Sequence, residues 1–294
     1  MIETECVGVR VDVFLKDKEP DLSRTQIKEL VLEGKVTVNG QKVKPHYRLK
    51  TADSLNWQIP AVAQSSIQGE NIPLTIVFED KDIIVLNKPS GLVVHPGAGN
   101  REHTLVNALL FHTQELSSLS EERPGIVHRL DKETSGIMVI AKNNHSHLEL
   151  AKQFKIHSIE RRYIALVSGG IEFDEGVIDI PIKRHVADRK KMSVSFTDEA
   201  KPAQTRYRVL KRYPEYSAVE LFPQTGRTHQ LRVHLNYLGH PILGDSVYGK
   251  KTSFPRLALH AKDLGFNHPS SGEFVKFSSP LPEEMKAAMP GVKI

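Results

Sequence analysis

The chain has 294 residues, which predicts about two domains at roughly 150 residues per domain. Its hydrophobic share of 39% and charged share of 26% are typical of a globular protein and exclude a collagen-like chain or a disordered acidic tail. No run approaches the roughly 18 apolar residues of a membrane span, and residues 1–5 carry two acids where a signal peptide would be basic. The single cysteine, Cys6, excludes an intramolecular disulfide and a cysteine-built metal site, which predicts a cytoplasmic protein.

The N-terminal sixty residues are predicted to form a small domain of their own. Apolar residues at helical spacing predict a helix that ends at Gly34. A strand at 36–38 then runs into Asn39-Gly40, the strongest short hairpin signal, and Val43 resumes the return strand. We therefore expect an α/β unit over residues 1–60.

The net charge of +5 is only a small excess of basic residues, so the positions of these residues say more about a binding partner than the total charge does. Five basic residues and no acid lie between Gly34 and Ala52. They form either a phosphate-facing surface or a solvated lysine face, and the charge run by itself favours the solvated face. The five are Lys35, Lys42, Lys44, Arg48 and Lys50.

Residues 61–73 are small and polar and lack a sustained period, which predicts a linker to a second domain at 74–294. In that domain strands and helices do not alternate as tidy βαβ units. We therefore predict an α+β fold with a mixed, largely antiparallel sheet and flanking helices. The predicted strands include residues 83–86, 126–130, 137–141 and 164–167. One helix is predicted at 104–110, a second begins at a capping box formed by Ser146 and Glu149, and a third extends from near Thr228 to Gly239.

Several common sites are absent from the sequence. There is no P-loop, no dinucleotide-binding glycine motif and no nucleophile elbow. None of the histidine pairs considered has the i, i+4 spacing of a helical zinc pair with a carboxylate beside it. The sequence therefore predicts neither a metal nor a cofactor.

Three groups of polar residues are candidates for chemistry. Asp131 opens the polar loop 131–136, although an Asp before Thr-Ser-Gly is by itself more often a turn former. Tyr163 heads an apolar strand, where a tyrosine is usually a half-buried core residue. Arg227 and Arg232 enter a helix, where they bind phosphate, hold a carboxylate ionised or form a solvated first turn.

The N-terminal domain resembles the S4 RNA-binding module over roughly residues 6–58. That resemblance implies that the domain helps to dock structured RNA through Arg24, Lys35, Lys42 and Lys44. The matching segments are residues 10–15, 23–24, 34–36, 38–40 and 44–45.

Residues 125–142 resemble the signature of the pseudouridine synthases that modify large-subunit ribosomal RNA and some transfer RNAs. The resemblance extends over about residues 74–285, and residues 95–100 lean toward the synthase D-like subgroup of that family. Further matches follow in the family's order, at 87–91, 95–96, 163–167, 226–234, 239–245, 248–249 and 257–261.

The resemblance implies an isomerisation in which uracil is detached from C1′ of the ribose and rejoined through its C5, without a cofactor. It makes Asp131 the carboxylate that attacks the ribose or the base, kept ionised by Arg232. Tyr163 would stack on the uracil and help remove the C5 proton, and Leu259 would form an apolar wall that excludes water.

The target uridine must leave its helix to reach such a pocket, and the resemblance implies that Arg129 fills the space it vacates. It implies a partner in 23S ribosomal RNA, neither DNA nor a membrane. A non-catalytic RNA-binding or ribosome assembly factor is the main alternative; a nuclease is another, although clustered metal carboxylates are missing. Further implied contacts to the substrate are His128, Arg227, Thr228 and Lys88, and to RNA phosphates Arg184, Arg189, Lys190 and Arg206.

Overall fold

The computed structural model describes residues 6–19, 22, 24–59, 67–97, 99–188, 191–249 and 253–293. The predicted α+β class is confirmed, with helices packed on a large mixed sheet after a small N-terminal unit. Among the described residues, no helix is long and apolar enough to cross a membrane. The cytoplasmic location stays a prediction.

The N-terminal unit packs two helices on a three-stranded antiparallel sheet in the order β2-β1-β3. Asn39 and Gly40 form the predicted turn, with φ angles of 52° and 76° that these two residue types tolerate. The return strand starts directly after this turn, two residues before the predicted Val43, which packs on the small core instead. The elements are α1 (Val11–Lys18), α2 (Arg24–Glu33), β1 (Val36–Val38), β2 (Gln41–Lys42) and β3 (Leu55–Trp57).

The rest of the described chain builds a nine-stranded sheet in the order β4-β5-β6-β13-β7-β12-β11-β8, with β14 beside β13. Neighbouring strands run antiparallel except β6 and β13, so the prediction of a mixed, largely antiparallel sheet is confirmed. The strands are β4 (Ile76–Glu79), β5 (Ile83–Lys88), β6 (Ser135–Ala141), β7 (Glu160–Ser168), β8 (Glu175–Asp179), β9 (Ile182–Arg184), β10 (Met192–Val194), β11 (Gln204–Arg212), β12 (Tyr216–Pro223), β13 (Leu259–Asn267) and β14 (Phe274–Ser278). The helices are α3 (Leu105–His112), α4 (Asn144–Lys155), α5 (Gln230–Tyr237) and α6 (Glu283–Ala287), and β9 pairs with β10.

The single parallel contact in this sheet places the candidate residues side by side. Ala261 of β13 pairs with Gly136 on one side and with Tyr163 of β7 on the other. A Cβ at Gly136 would lie 2.2 Å from the Ala261 carbonyl oxygen, and its φ of 124° also favours glycine. Gly136 therefore lets β6 approach β13 closely, which brings the loop that carries Asp131 next to Tyr163.

Two local predictions are wrong. Residues 126–130 form no strand; a backbone bridge joins Ile126 to Ile140 of β6, and the segment then crosses toward the loop of Asp131. The fourth helix starts before the predicted capping box, because the side chain of Asn143 accepts the amide N–H of Ser146 and caps the helix. Ser146 lies inside the helix and is buried.

A buried polar group connects β6, β13 and the segment before β13. The Ser135 hydroxyl and Nδ1 of His260 share a hydrogen bond of 2.7 Å, and the Arg256 guanidinium donates to the Ser135 oxygen at 2.6 Å. His260 is only 1% exposed. Burial, with the Arg256 charge beside it, lowers the pKa of His260 to about 4.

The buried His260 predicts acid sensitivity. Its pKa is about 4 in the folded chain against 6.5 in a model peptide, so the unfolded chain binds a proton first as the pH falls. The folded state should lose about 3 kcal/mol between pH 6.5 and pH 4 through this group alone. Urea unfolding of the wild type and of His260→Gln at pH 7, 5.5 and 4.5 measures it. If the free energy of unfolding changed equally with pH in the two proteins, the assignment of this acid sensitivity to His260 would be wrong.

Candidate active site

A cleft with a volume of about 570 Å³ opens where the loop before β6 meets β7, β13 and the start of α5. Asp131, Tyr163, Arg232 and Leu259 all line it, although they come from four different parts of the chain. The structure also brings His128, Arg129, Arg227 and Thr228 to the same cleft.

Asp131 is a partly exposed carboxylate held at the wall of the cleft. Nη1 of Arg232 lies 3.5 Å from its Oδ2, and the side chains are 5% and 19% exposed, Arg232 being the more buried. The predicted pairing of these two residues is therefore present. This geometry sets a buried positive charge beside the carboxylate that is the candidate nucleophile.

Arg232 has a closer partner than Asp131, which the sequence analysis did not assign. Nε and Nη2 of Arg232 donate to the two oxygens of Asp245 at 2.7 and 2.8 Å, and the Asp245 side chain is fully buried. Burial lowers the pKa of Arg232, but the hydrogen bonds and charge of Asp245 together outweigh it and raise the pKa. Asp245 therefore fixes the guanidinium, and Nη1 is left to point at Asp131.

His229 and Tyr248 complete the surroundings of Asp131, and the sequence analysis gave neither a role. Nε2 of His229 lies 3.9 Å from Oδ2 of Asp131, and its Nδ1 lies 2.8 Å from the Tyr248 hydroxyl. Tyr248 lies beneath the Arg232 guanidinium at 5.1 Å. The available signal was the segment 226–234, in which Arg227, Thr228 and Arg232 received predicted roles but His229 did not.

Tyr163 presents a phenol to the cleft at the sheet surface. Burial raises its pKa, the Arg161 charge opposes this rise and the Asp131 charge adds to it. Its hydroxyl is thus protonated at neutral pH. Leu259, 3% exposed, starts the neighbouring strand and lines the cleft; its role as an apolar wall against the base stays a prediction.

Arg129 and His128 approach the cleft from the crossing segment. Nη1 of Arg129 donates to Nε2 of His95 at 3.0 Å, and the Arg129 side chain is otherwise exposed. Nε2 of His128 accepts the Val139 amide at 3.1 Å, and burial lowers the pKa of His128 to about 3. His128 is therefore neutral, and one of its two ring nitrogens is used on the backbone.

Arg227 and Thr228 lie exposed at the mouth of the cleft. Nε of Arg227 donates to the Pro202 carbonyl at 3.1 Å.

The structure does not support substrate contact by Lys88. The side chain is fully buried and lies outside the lining of the cleft. Nζ donates to the carbonyls of Pro89, Leu92 and Lys132 at 2.8, 2.8 and 3.0 Å, so each ammonium hydrogen already has an acceptor. Lys88 instead fastens the loop that follows Asp131 to the end of β5.

The structure also separates Arg206 from the cleft. Thr205 contacts His234 of α5, so its side of β11 faces the cleft helix. Side chains alternate along a strand, so Arg206 lies on the opposite face, where it stacks on Phe222 at 4.6 Å. Arg206 therefore does not line the cleft, and its contact with RNA phosphates stays a prediction.

The other predicted RNA contacts lie on exposed surface. Arg24 is 64% exposed and 3.5 Å from Asp12, and Lys35 pairs with Glu33 at 2.7 Å. Lys42, Lys44 and Arg184 are also exposed, whereas Arg189 and Lys190 lie outside the described residues.

One group of possible metal ligands occurs in the described part of the chain: Asp80, Asp82 and His268. None of them lines the cleft. His268 and Asp80 already contact each other directly at 2.9 Å.

Comparison with known proteins places this cleft in an enzyme family. The family model "RNA pseudouridylate synthase" matches residues 82–237, and the S4 domain model matches residues 9–55. The chain therefore belongs to the RNA pseudouridylate synthase family, a family of isomerases, and carries an N-terminal S4 domain.

The relatives are similar over nearly their whole length. The chain is 45% identical to an uncharacterized RNA pseudouridine synthase, YlyB, of Bacillus subtilis, covering 94% of this chain and 91% of that one. It is 43% identical to the ribosomal large subunit pseudouridine synthase D of Zymomonas mobilis, covering 96% and 93%. The solved structure of human RNA pseudouridylate synthase domain containing 1 is similar with a TM-score of 0.60 and 30% identity, covering 73% of this chain and 86% of that one.

Proposed function

We propose that this protein converts uridines of large-subunit ribosomal RNA to pseudouridine, with Asp131 as the attacking carboxylate. The observation that carries the proposal is the single partly exposed carboxylate in the lining of the cleft, 3.5 Å from a guanidinium that Asp245 immobilises. The relatives named ribosomal large subunit pseudouridine synthase D support the choice of RNA.

The proposed reaction exchanges one bond of the nucleoside for another. Asp131 attacks the ribose or the base and forms a covalent bond to it, and the bond between N1 and C1′ breaks. Uracil then turns so that C5 joins C1′, and the bond to Asp131 breaks, which returns the free carboxylate. C5 then loses a proton and N1 gains one, so no oxidant or energy source is consumed. A covalent intermediate divides the exchange into easier steps. Leu259 and the ring of Tyr163 exclude water that would otherwise hydrolyse it.

The target uridine must be flipped into the cleft, because a stacked base cannot reach Asp131. A volume of about 570 Å³ is large enough for a nucleoside. Arg129 is exposed at the cleft, and its planar guanidinium is suited to stack in the vacated position. Moving it there requires breaking its hydrogen bond to His95.

We propose that the S4 domain binds the RNA outside the cleft. In this proposal the S4 domain comprises residues 1–60, and a linker at 61–73 joins it to a catalytic domain at 74–294. The exposed Lys42 and Lys44 on its hairpin support this assignment. Arg227 and Thr228, at the mouth of the cleft, would take phosphates next to the flipped nucleotide.

The direct test is release of tritium from large-subunit ribosomal RNA that carries 5-tritiated uridine. Isomerisation removes the hydrogen from C5, so tritium should enter the solvent in proportion to the pseudouridine formed. Mapping of modified positions in RNA from cells with and without the protein identifies the uridines. RNA binding without tritium release would instead identify a non-catalytic assembly factor.

A further inference from the structure

The hydrogen bonds of Tyr248 fix which nitrogen of His229 carries the proton. The backbone N–H of Met192 donates to the Tyr248 oxygen at 2.8 Å, which uses the acceptor direction of the phenol. The hydroxyl hydrogen is then directed at Nδ1 of His229, also at 2.8 Å. A neutral imidazole that accepts at Nδ1 carries its proton on Nε2.

This tautomer presents a donor to the active-site carboxylate. Nε2 of His229 lies 3.9 Å from Oδ2 of Asp131, the same oxygen that Arg232 approaches at 3.5 Å. Burial lowers the pKa of His229, although the Asp131 charge opposes this, so the imidazole is neutral. Hydrogen bonds at catalytic sites are often long without substrate and shorten when it binds.

The backbone at His229 supports a role outside helix stability. His229 occupies the N-cap position of α5 with φ of 54°, a left-handed conformation that His, Asn and Asp adopt more readily than other side chains. An N-cap side chain normally accepts an amide N–H of the first helical turn, but that of His229 makes no such bond. Its ring lies between Tyr248 and Asp131 instead.

We propose that His229 is a positioning residue which, with Arg232, holds Oδ2 of Asp131, so that Oδ1 is the oxygen that meets the nucleoside. Tyr248 acts one step further away by selecting the tautomer. The inference rests on the proposed role of Asp131. It also assigns a function to Tyr248, which does not line the cleft.

The first test reads the tautomer directly and needs no activity. Nitrogen NMR of the full-length protein with labelled histidine should show Nδ1 of His229 without a proton and Nε2 with one. His229→Asn identifies the signal, because Asn tolerates the left-handed backbone. In Tyr248→Phe the donor to Nδ1 is missing, and the proton should redistribute toward Nδ1. A wild-type proton on Nδ1 overturns the proposal.

The second test measures single-turnover tritium release with 5-tritiated RNA. Tyr248→Phe and His229→Asn should each lower the maximal rate by about 10- to 100-fold, the range found for residues that orient a catalytic group. The RNA concentration at half-maximal rate should not change. His229→Gln, whose amide nitrogen is the same number of bonds from Cα as Nε2, should recover part of the loss. The double variant should lose little more than either single one.

The outcomes separate this inference from the proposed function. An unchanged maximal rate in a folded Tyr248→Phe protein, checked by circular dichroism, overturns the positioning role even if Asp131 is essential. A release rate that survives Asp131→Asn overturns the proposed function, whatever the tautomer of His229.

Discussion

Asp131→Asn is expected to lower pseudouridine formation by at least about 10⁴-fold, the scale seen when a catalytic group of this kind is lost. The amide has nearly the same shape as the carboxylate but no nucleophilic oxygen. The fold should persist, because Arg232 keeps its two hydrogen bonds to Asp245. RNA binding should persist as well, since the basic residues outside the cleft are untouched. Tritium release and a binding assay on the same RNA measure the two quantities.

A matched control for that variant lies two residues away. Glu133→Gln removes one negative charge from the same loop, but Glu133 does not line the cleft. Its rate should stay within about twofold of the wild type, as expected of a polar change outside the site. Substantial turnover by Asp131→Asn would remove this residue from its proposed role. Equal losses in both variants would indicate a general effect of charge.

Lys88→Met is expected to impair both stability and catalysis. Three carbonyls lose their donor in a buried site, and we expect a loss of about 2–4 kcal/mol in the free energy of unfolding. One of those carbonyls belongs to Lys132, so the loop that carries Asp131 loses its attachment to β5. A displacement of about 1 Å at a reacting group costs about 100-fold in rate, so the maximal rate should fall by that factor.

Urea unfolding and single-turnover rates at saturating RNA measure these two effects. Lys132→Met is the matched control, because its side chain is exposed while its carbonyl remains for Lys88. It should match the wild type in both measurements. If Lys88→Met kept a normal maximal rate but bound RNA more weakly, the result would instead support the substrate contact that the sequence predicted for Lys88.

Local signals in the sequence predicted the elements whose structure depends on neighbouring residues. The Asn39-Gly40 turn, the helix that ends at Gly34 and the strand at 137–141 are all present. Each rests on backbone preference or side-chain period, which act within a few residues. The prediction of a strand at 126–130 was wrong, because a short apolar run predicts a strand from its own residues alone. Whether another strand pairs with it depends on residues elsewhere in the chain.

The sequence alone also determined the family and its two matching regions, and it predicted the set of Asp131, Tyr163 and Arg232, which the structure brings to one cleft. Only the tertiary structure decided what surrounds that set: Asp245 on Arg232, His229 beside Asp131 and Lys88 beneath the loop. It likewise turned Arg206 away from the cleft. Charge and residue type can be read from the sequence. Strand register and the packing of elements far apart in sequence decide which face of a sheet a side chain occupies and which distant group it contacts.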